Sequence, residues 1–228
     1  AEPLGLLAAL AIPETWRAHL DAIADGIGEA AASVGAPIIG GDMSRGGELA
    51  LTITVLGTSR GPLLRTSARA GDRVYVTGRL GGPFKALREF LAGREPEPAD
   101  RARFAAPFPR IRESIWLGEN GATSAIDISD GLSADLSHLA AASRVGIVVD
   151  LGKLAIVDGI SAVEAAASGE EYELVVTAPV RIDTAGFTEE FGLELSEIGK
   201  VEYGAEGVRF LIGDKEIEPP PGYSHFSK

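Results

Sequence analysis

The sequence predicts a mixed α/β fold of the α+β class, built as two domains, and three observations carry that expectation. Stretches with strand character recur between stretches of helical periodicity. Some neighbouring strands are closely linked, which indicates a mixed sheet with helices packed on one side. The composition changes around Gly57 to Gly61, which places a domain boundary there and divides the chain into 1–58 and 59–228. A chain of 228 residues, 45% of them hydrophobic, can bury a substantial core as one large domain or two smaller ones.

In the first part, Leu4, Leu6, Leu7 and Leu10 give the opening residues the look of the inside of a helix. Trp16, Leu20, Ile23, Ile27, Ala30 or Ala31 and Val34 recur at helical spacing, and Pro13 suits a first turn. Residues 13–34 therefore read as a long amphipathic helix. Gly26-Ile27-Gly28-Glu29-Ala30-Ala31 matches a dinucleotide fingerprint in form only, because it lies inside that helical pattern instead of after a strand. Pro37-Ile38-Ile39 is a short apolar strand that runs into Gly40-Gly41-Asp42-Met43-Ser44-Arg45, where glycine lets the backbone approach a ligand or simply turn. From Glu48 to Thr58, Leu49, Leu51, Ile53 and Val55 alternate along a clear strand.

Beyond the boundary, Ala70-Gly71-Asp72 is a turn and Arg73 to Gly78 a strand ending in glycine. Gly81-Gly82-Pro83 opens a helix to about Leu91. Glu95 to Pro98 breaks the chain before a second helical region at Arg101 to Ala106. A third helix, Pro107 to Gly118, turns Ile111, Ile115 and Trp116 inward. After the aspartate stretch considered next, Gly146 to Leu151 is a buried strand and Ile160 to Ala167 a helix. Ser168-Gly169-Glu170-Glu171-Tyr172-Glu173 then leads into a strand, and its acids can be read simply as a solvated edge. Glu189 to Glu194 ends a helix, two closing strands follow at Ile198 to Tyr203 and Gly207 to Ile212, and a proline-rich tail carries Tyr223 and Phe226.

The most informative stretch is Ser124 to His138. Ile126 and Ile128 alternate with Asp127 on a short strand, and Asp130-Gly131 signals a turn at which Asp130 or Ser129 can cap the next helix. Leu132, Leu136, Leu139 and Ala140 make the buried stripe of that helix, with Asp135 at its edge. Taken singly, these aspartates read as a strand end, a cap and a solvated residue. Together they crowd like charges, which is unfavourable without a cation among them, and hard divalent cations prefer carboxylate oxygens. The stretch reads as half of a divalent-metal site.

Lys and Arg number 21 against 33 Asp and Glu, a formal charge of −12, which argues against nucleic acid and against an anionic membrane surface. A phosphorylated substrate is compatible if metal ions stand between carboxylates and phosphates. The absence of cysteine removes disulfides, thiolate nucleophiles and cysteine-based zinc sites, and the three histidines are well separated. No apolar run is long enough to span a bilayer and no signal peptide is visible, so a cytoplasmic location is expected. No P-loop and no kinase glycine-rich loop is present. A phosphate site would use the backbone at Gly40-Gly41, the cation of Arg65, and metal held by Asp42, Asp127 and Asp130.

Gly-Gly-Asp-x-Ser-Arg, a strand ending Tyr-Val-Thr-Gly, Ile-Asp-Ile-Ser-Asp-Gly-Leu, Gly-Glu-Glu-Tyr-Glu-Leu and a terminal Gly-Tyr-Ser-His-Phe occur here in one order. In that order they resemble the thiamine-monophosphate kinases, in the superfamily of aminoimidazole-ribonucleotide synthetase, along essentially the whole chain. The resemblance implies the two-domain architecture of that superfamily and phosphorylation of thiamine monophosphate to thiamine diphosphate, with Mg2+ and with ATP as co-substrate. It assigns Asp42, Asp127 and Asp130 as metal ligands, with Asp127 and Asp130 at the reaction centre. It sets Gly41, Asp42, Arg65 and Ser129 beside the nucleotide, and Glu170 and Tyr223 at the substrate. It also implies a homodimer. The family carries an upstream segment with further acidic ligands, so 1–58 is expected to be the remainder of an N-terminal domain. Met43 stands where the family usually has Thr, and the connector from Asp150 to Glu170 is short. Another ATP-dependent synthetase of the superfamily, or a catalytically incomplete nucleotide-binding fragment, are the alternatives.

Overall fold

The computed structural model describes residues 2–204 and 206–223. The chain divides into two compact units, Ala1–Pro62 and Leu63–Lys228. Among the described residues, two sheets form, one in each unit.

In the first unit β1 (Glu2–Ile12) is the central strand, paired in parallel with β2 (Ile38–Arg45) and antiparallel with β3 (Ala50–Thr58). The opening residues are thus strand, not helix. Leucines at 4, 6, 7 and 10 satisfy either period over so short a window. Leu6, Leu10 and Ile12, spaced by even steps, are the ones the strand buries. α1 (Leu20–Ser33) returns the chain to β2 and sets Ala31, with half-buried Ile27 and Val34, against Leu6 and Ala8. Its expected first turns wind instead as a 3-10 helix, Glu14–His19, which takes Trp16 off the stripe and leaves it 43% exposed.

Gly40 to Arg45, expected as a glycine loop, continues β2. Gly41 pairs with Ala8, and a Cβ there would run into the Ala8 carbonyl oxygen. The glycine is needed so that two strands can pair closely.

The second unit holds a seven-stranded sheet of β4 (Arg73–Thr77), β5 (Ser124–Asp127), β6 (Gly146–Asp150), β7 (Leu174–Ala178), β8 (Leu195–Glu202), β9 (Gly207–Ile212) and β10 (Lys215–Ile217). The order is β10-β9-β6-β8-β4-β7-β5, with β6 and β9 parallel and the other pairs antiparallel. β10 is three residues long and, among the described residues, pairs with β9 alone, with Ile217 packed against the core.

Alternation along the central strands feeds two cores. Val74, Val76, Ile126 and Val175 join Leu132, Leu136, Leu139 and Ala140 of α5 (Leu132–Ser143) and Ala165 and Ala166 of α6 (Ala162–Ala166). Tyr75, Val176 and Leu195 join Leu117 of α4 (Ile111–Glu119) and Phe187 of α7 (Thr184–Phe191). Helices on one side describe the small sheet, while the large one is lined on both faces. In α4 the buried apolar residue is Leu117, beside buried Glu113, with Trp116 half-buried and Ile115 exposed. Ile115, which the sequence predicts to face inward, is out of phase with that buried face. The remaining helices are α2 (Gly82–Leu91) and α3 (Pro98–Ala105). No helix among the described residues is long and apolar enough to cross a membrane.

Candidate active site

The aspartate turn is built by β5 and α5. Ile126 and Ile128 are 4% and 0% exposed and hold the strand down, which leaves the Asp127 side chain 47% exposed at its end. Leu132, Leu136, Leu139 and Ala140 are fully buried and fix α5. Neither Asp130 nor Ser129 caps this helix, because the N-cap is Gly131, at φ +106°, and makes no side-chain cap bond. The capping logic runs the other way. Asp135, one turn into α5 and buried, reaches back so that its Oδ2 accepts from the backbone N–H of Ser129 at 2.9 Å and of Asp130 at 3.1 Å. Burial pushes the Asp135 carboxyl above its usual range, the two N–H groups pull it back, and the charges of Asp130 and Asp127 push it up again. Asp130, Asp135 and His138 each bring one ligand atom within 4.8 Å of the others.

The acidic segment 170–173 lies directly against this turn. Glu170 N–H donates to Ser129 O at 2.8 Å, Tyr172 N–H to Ile128 O at 2.8 Å, and Ile128 N–H to Glu173 O at 2.8 Å. Glu170 and Tyr172 both sit in the left-handed region, at φ +60° and +49°. That conformation is disfavoured for side chains bearing a Cβ by roughly 1–3 kcal/mol each, and persists only where surroundings impose it. The Tyr172 hydroxyl donates to Glu170 Oε2 at 2.8 Å. Burial, that hydrogen bond, and the charges of Glu170, Asp127 and Asp130 push the phenol up to about 12, so it stays a donor.

Glu171 and Glu173 point the opposite way and are 4% and 1% exposed, which overturns the solvated-edge alternative. Glu173 takes a two-pronged bond from Arg110 (2.9 and 2.6 Å), a bond from Thr77 Oγ1 at 2.7 Å, and Arg103 Nη2 at 3.3 Å. Glu171 accepts from Arg103 at 2.9 Å and from Gly81 N–H. Side-chain Cβ atoms at Gly78 and Gly82 would strike Glu173 and Arg103, so those glycines make the room. Arg103, Arg110, Glu171 and Glu173 had no role in the sequence reading. The available signal was the period of two along 170–173, while the arginines that balance the two inward acids come from distant positions in the chain.

Arg65 Nη2 stands 3.7 Å from Asp127 Oδ1, an exposed pair. Tyr223 N–H donates to Asp130 O at 2.9 Å, and a Cβ at Gly222 would strike Ala134, so the tail runs close over the turn. Ser224, His225 and Phe226 lie outside the described residues. One neighbourhood of the second unit therefore holds Arg65, Asp127, Ser129, Asp130, Glu170 and Tyr223. Gly41 and Asp42 belong to the first unit, on β2, where Asp42 pairs with Ala9.

Comparison with known proteins identifies the family of the fold. The model of the AIR synthase related protein N-terminal domain matches residues 1–59, and that of the AIR synthase related protein C-terminal domain matches 69–211. A thiamine-monophosphate kinase of Pyrococcus horikoshii is 38% identical over 98% of this chain and 72% of its own length. A crystal structure of thiamine-monophosphate kinase from Stenotrophomonas maltophilia superposes with a TM-score of 0.83 at 33% identity, covering 92% of this chain and 72% of that one. The structure of AaThiL complexed with AMPPCP and TMP has a TM-score of 0.83 at 30% identity, covering 98% and 74%. The chain belongs to the AIR synthase related proteins and, within them, to the thiamine-monophosphate kinases.

Proposed function

We propose that this protein transfers the γ-phosphoryl group of ATP to thiamine monophosphate, giving thiamine diphosphate, with magnesium required. The observation that carries the reading is the backbone-bonded cluster in which Asp127, Ser129 and Asp130 lie against Glu170 and Tyr223. That cluster sets acids suited to a metal–polyphosphate beside an acid and an aromatic suited to a cationic, ring-bearing substrate. A relative solved with AMPPCP and TMP supports the same pairing of ligands.

The donor set suits magnesium. Asp127 and Asp130 offer hard carboxylate oxygens at a turn whose N–H groups are already taken by Asp135, and Asp127 is paired only loosely, 3.7 Å from Arg65 in an exposed pair. Asp42, Asp127 and Asp130 would hold the ion, Asp42 on the strength of its motif alone. Bound magnesium supplies charge neutralisation of the phosphates. Gly41 and Ser129 lie beside the nucleotide, Arg65 faces its phosphates, Glu170 contacts the substrate, and Tyr223 covers its ring. The attacking phosphate oxygen is already ionised at neutral pH, so no side chain must take a proton. Alignment and charge stabilisation carry the rate.

In the same reading 1–58 belongs to an N-terminal domain and 59–228 forms the C-terminal domain. The protein works in the cytoplasm as a homodimer. Open apolar side chains on β2 and β3, among them Ile38, Met43, Leu51, Ile53 and Val55, are of the kind another surface covers. Incubation with ATP, thiamine monophosphate and magnesium should yield thiamine diphosphate and ADP, and Asp130→Asn should abolish turnover. Full activity of that variant with magnesium still required would remove Asp130 from the mechanism.

A further inference from the structure

We propose that the buried ion-pair lattice of Arg103, Arg110, Glu171 and Glu173 is a positioning device that aims Glu170 and Tyr172 at the substrate. The inference rests on the substrate role given above to Glu170. Along 170–173 the side chains alternate, with Glu170 and Tyr172 toward the aspartate turn and Glu171 and Glu173 into the protein. Both outward residues hold a left-handed backbone that an L side chain does not choose. Local sequence gives no reason for it, since neither position is Gly, Asn or Asp.

The restraint comes from the inward residues. Glu173 is gripped by the Arg110 fork, by Thr77 and by Arg103. Glu171 is gripped by Arg103 and Gly81. A planar guanidinium fork fixes a carboxylate in orientation as well as distance. With 171 and 173 fixed, and with the backbone of 170 and 172 bonded to Ser129 and Ile128, the left-handed torsions at 170 and 172 are restrained from both sides. The carboxylate of Glu170 then meets the Tyr172 hydroxyl and is presented in a single orientation. Arg103 on α3 and Arg110 just before α4 thereby reach the substrate through other residues, so they are positioning residues, not catalytic ones.

The test uses Glu171→Gln and Arg110→Lys in the whole protein, assayed at pH 8 with Glu170→Ala as reference and with melting temperature recorded for each. Gln cannot accept from Gly81 and Arg103 with both ends, and Lys cannot form the fork. The expected result is a rise of about tenfold or more in KM for thiamine monophosphate, with kcat and KM for ATP changing less than about threefold. Combined with Glu170→Ala, either variant should add little further, because the effect passes through Glu170. Lowered melting temperature with unchanged KM for thiamine monophosphate would overturn the proposal. So would a KM increase that persists undiminished in the Glu170→Ala background. Unchanged KM in Glu170→Ala itself would instead sink the substrate role of Glu170, and the inference with it. Should Glu171→Gln fail to fold, Arg110→Lys, which keeps the charge, carries the same comparison.

Discussion

Asp135 shows how far single residues could be read from sequence. Its place at the edge of the α5 stripe was visible from leucine spacing. That it replaces Asp130 as the acceptor was not, because both are aspartates near a helix start and the difference lies in burial. Replacing Asp135 by Ala leaves the Ser129 and Asp130 N–H groups without that acceptor, a loss of about 1–3 kcal/mol. We expect a lowered denaturation midpoint together with weakened nucleotide binding, whereas unchanged stability would show that those N–H groups find other partners. Glu171 gives a second residue-level expectation. Burial raises its carboxyl to about 7 from the ordinary 4.5, against the pull of Ser168, Arg103 and Gly81. The folded state thus holds this proton more tightly than the unfolded one. The associated stability is complete below pH 4.5 and is lost as pH rises through about 7. The melting temperature of the wild type minus that of Glu171→Gln should fall across that window, and a flat difference would contradict it.

At the scale of elements, what was legible was whatever a period decides over enough residues. α5, β4, β5 and β6 were readable because their buried faces repeat cleanly, down to the fully buried Leu132, Leu136 and Leu139. β1 was not, since four leucines in seven positions fit either period and only pairing on both sides decides for strand. β2 was cut short because Gly40-Gly41 is a turn signal in isolation, and the strand on the other side of the pair is invisible to local reading. The candidate site followed the same division. Asp127, Ser129, Asp130, Glu170 and Tyr223, expected from motifs, lie in one neighbourhood, while the inward acids of 170–173 were masked by looking like solvated charge. The pairing of β1 with β2 gives a sharp contrast. Gly41→Ala drives a Cβ into the Ala8 backbone, whereas Gly47 has open space around it. The first should destabilise by about 1–3 kcal/mol and the second by less than about 0.5 kcal/mol, read from denaturation midpoints. Equal midpoints would mean the two strands can part without loss.

For the whole molecule the governing quantity is a formal charge of −12. A tetra-anionic nucleotide approaching such a protein is repelled at long range, and one arginine at its phosphates, Arg65, itself 3.7 Å from Asp127, does not offset that. Recognition of the polyphosphate therefore has to run through bound cations, and salt dependence reveals it. With chelator present, the remaining long-range interaction is repulsive. Raising ionic strength from about 0.01 M to 0.1 M shortens the screening length from about 30 Å to 10 Å and should strengthen whatever weak ATP binding remains. With magnesium present, Asp127 and Asp130 would hold the ion that neutralises the phosphates, so the same change should leave binding nearly constant or weaken it. Calorimetry at two salt concentrations, with and without magnesium, tests both signs at once. Tight ATP binding in chelator, weakening as salt rises, would mean that side-chain cations hold the nucleotide. The aspartates would then have to be explained as something other than its anchor.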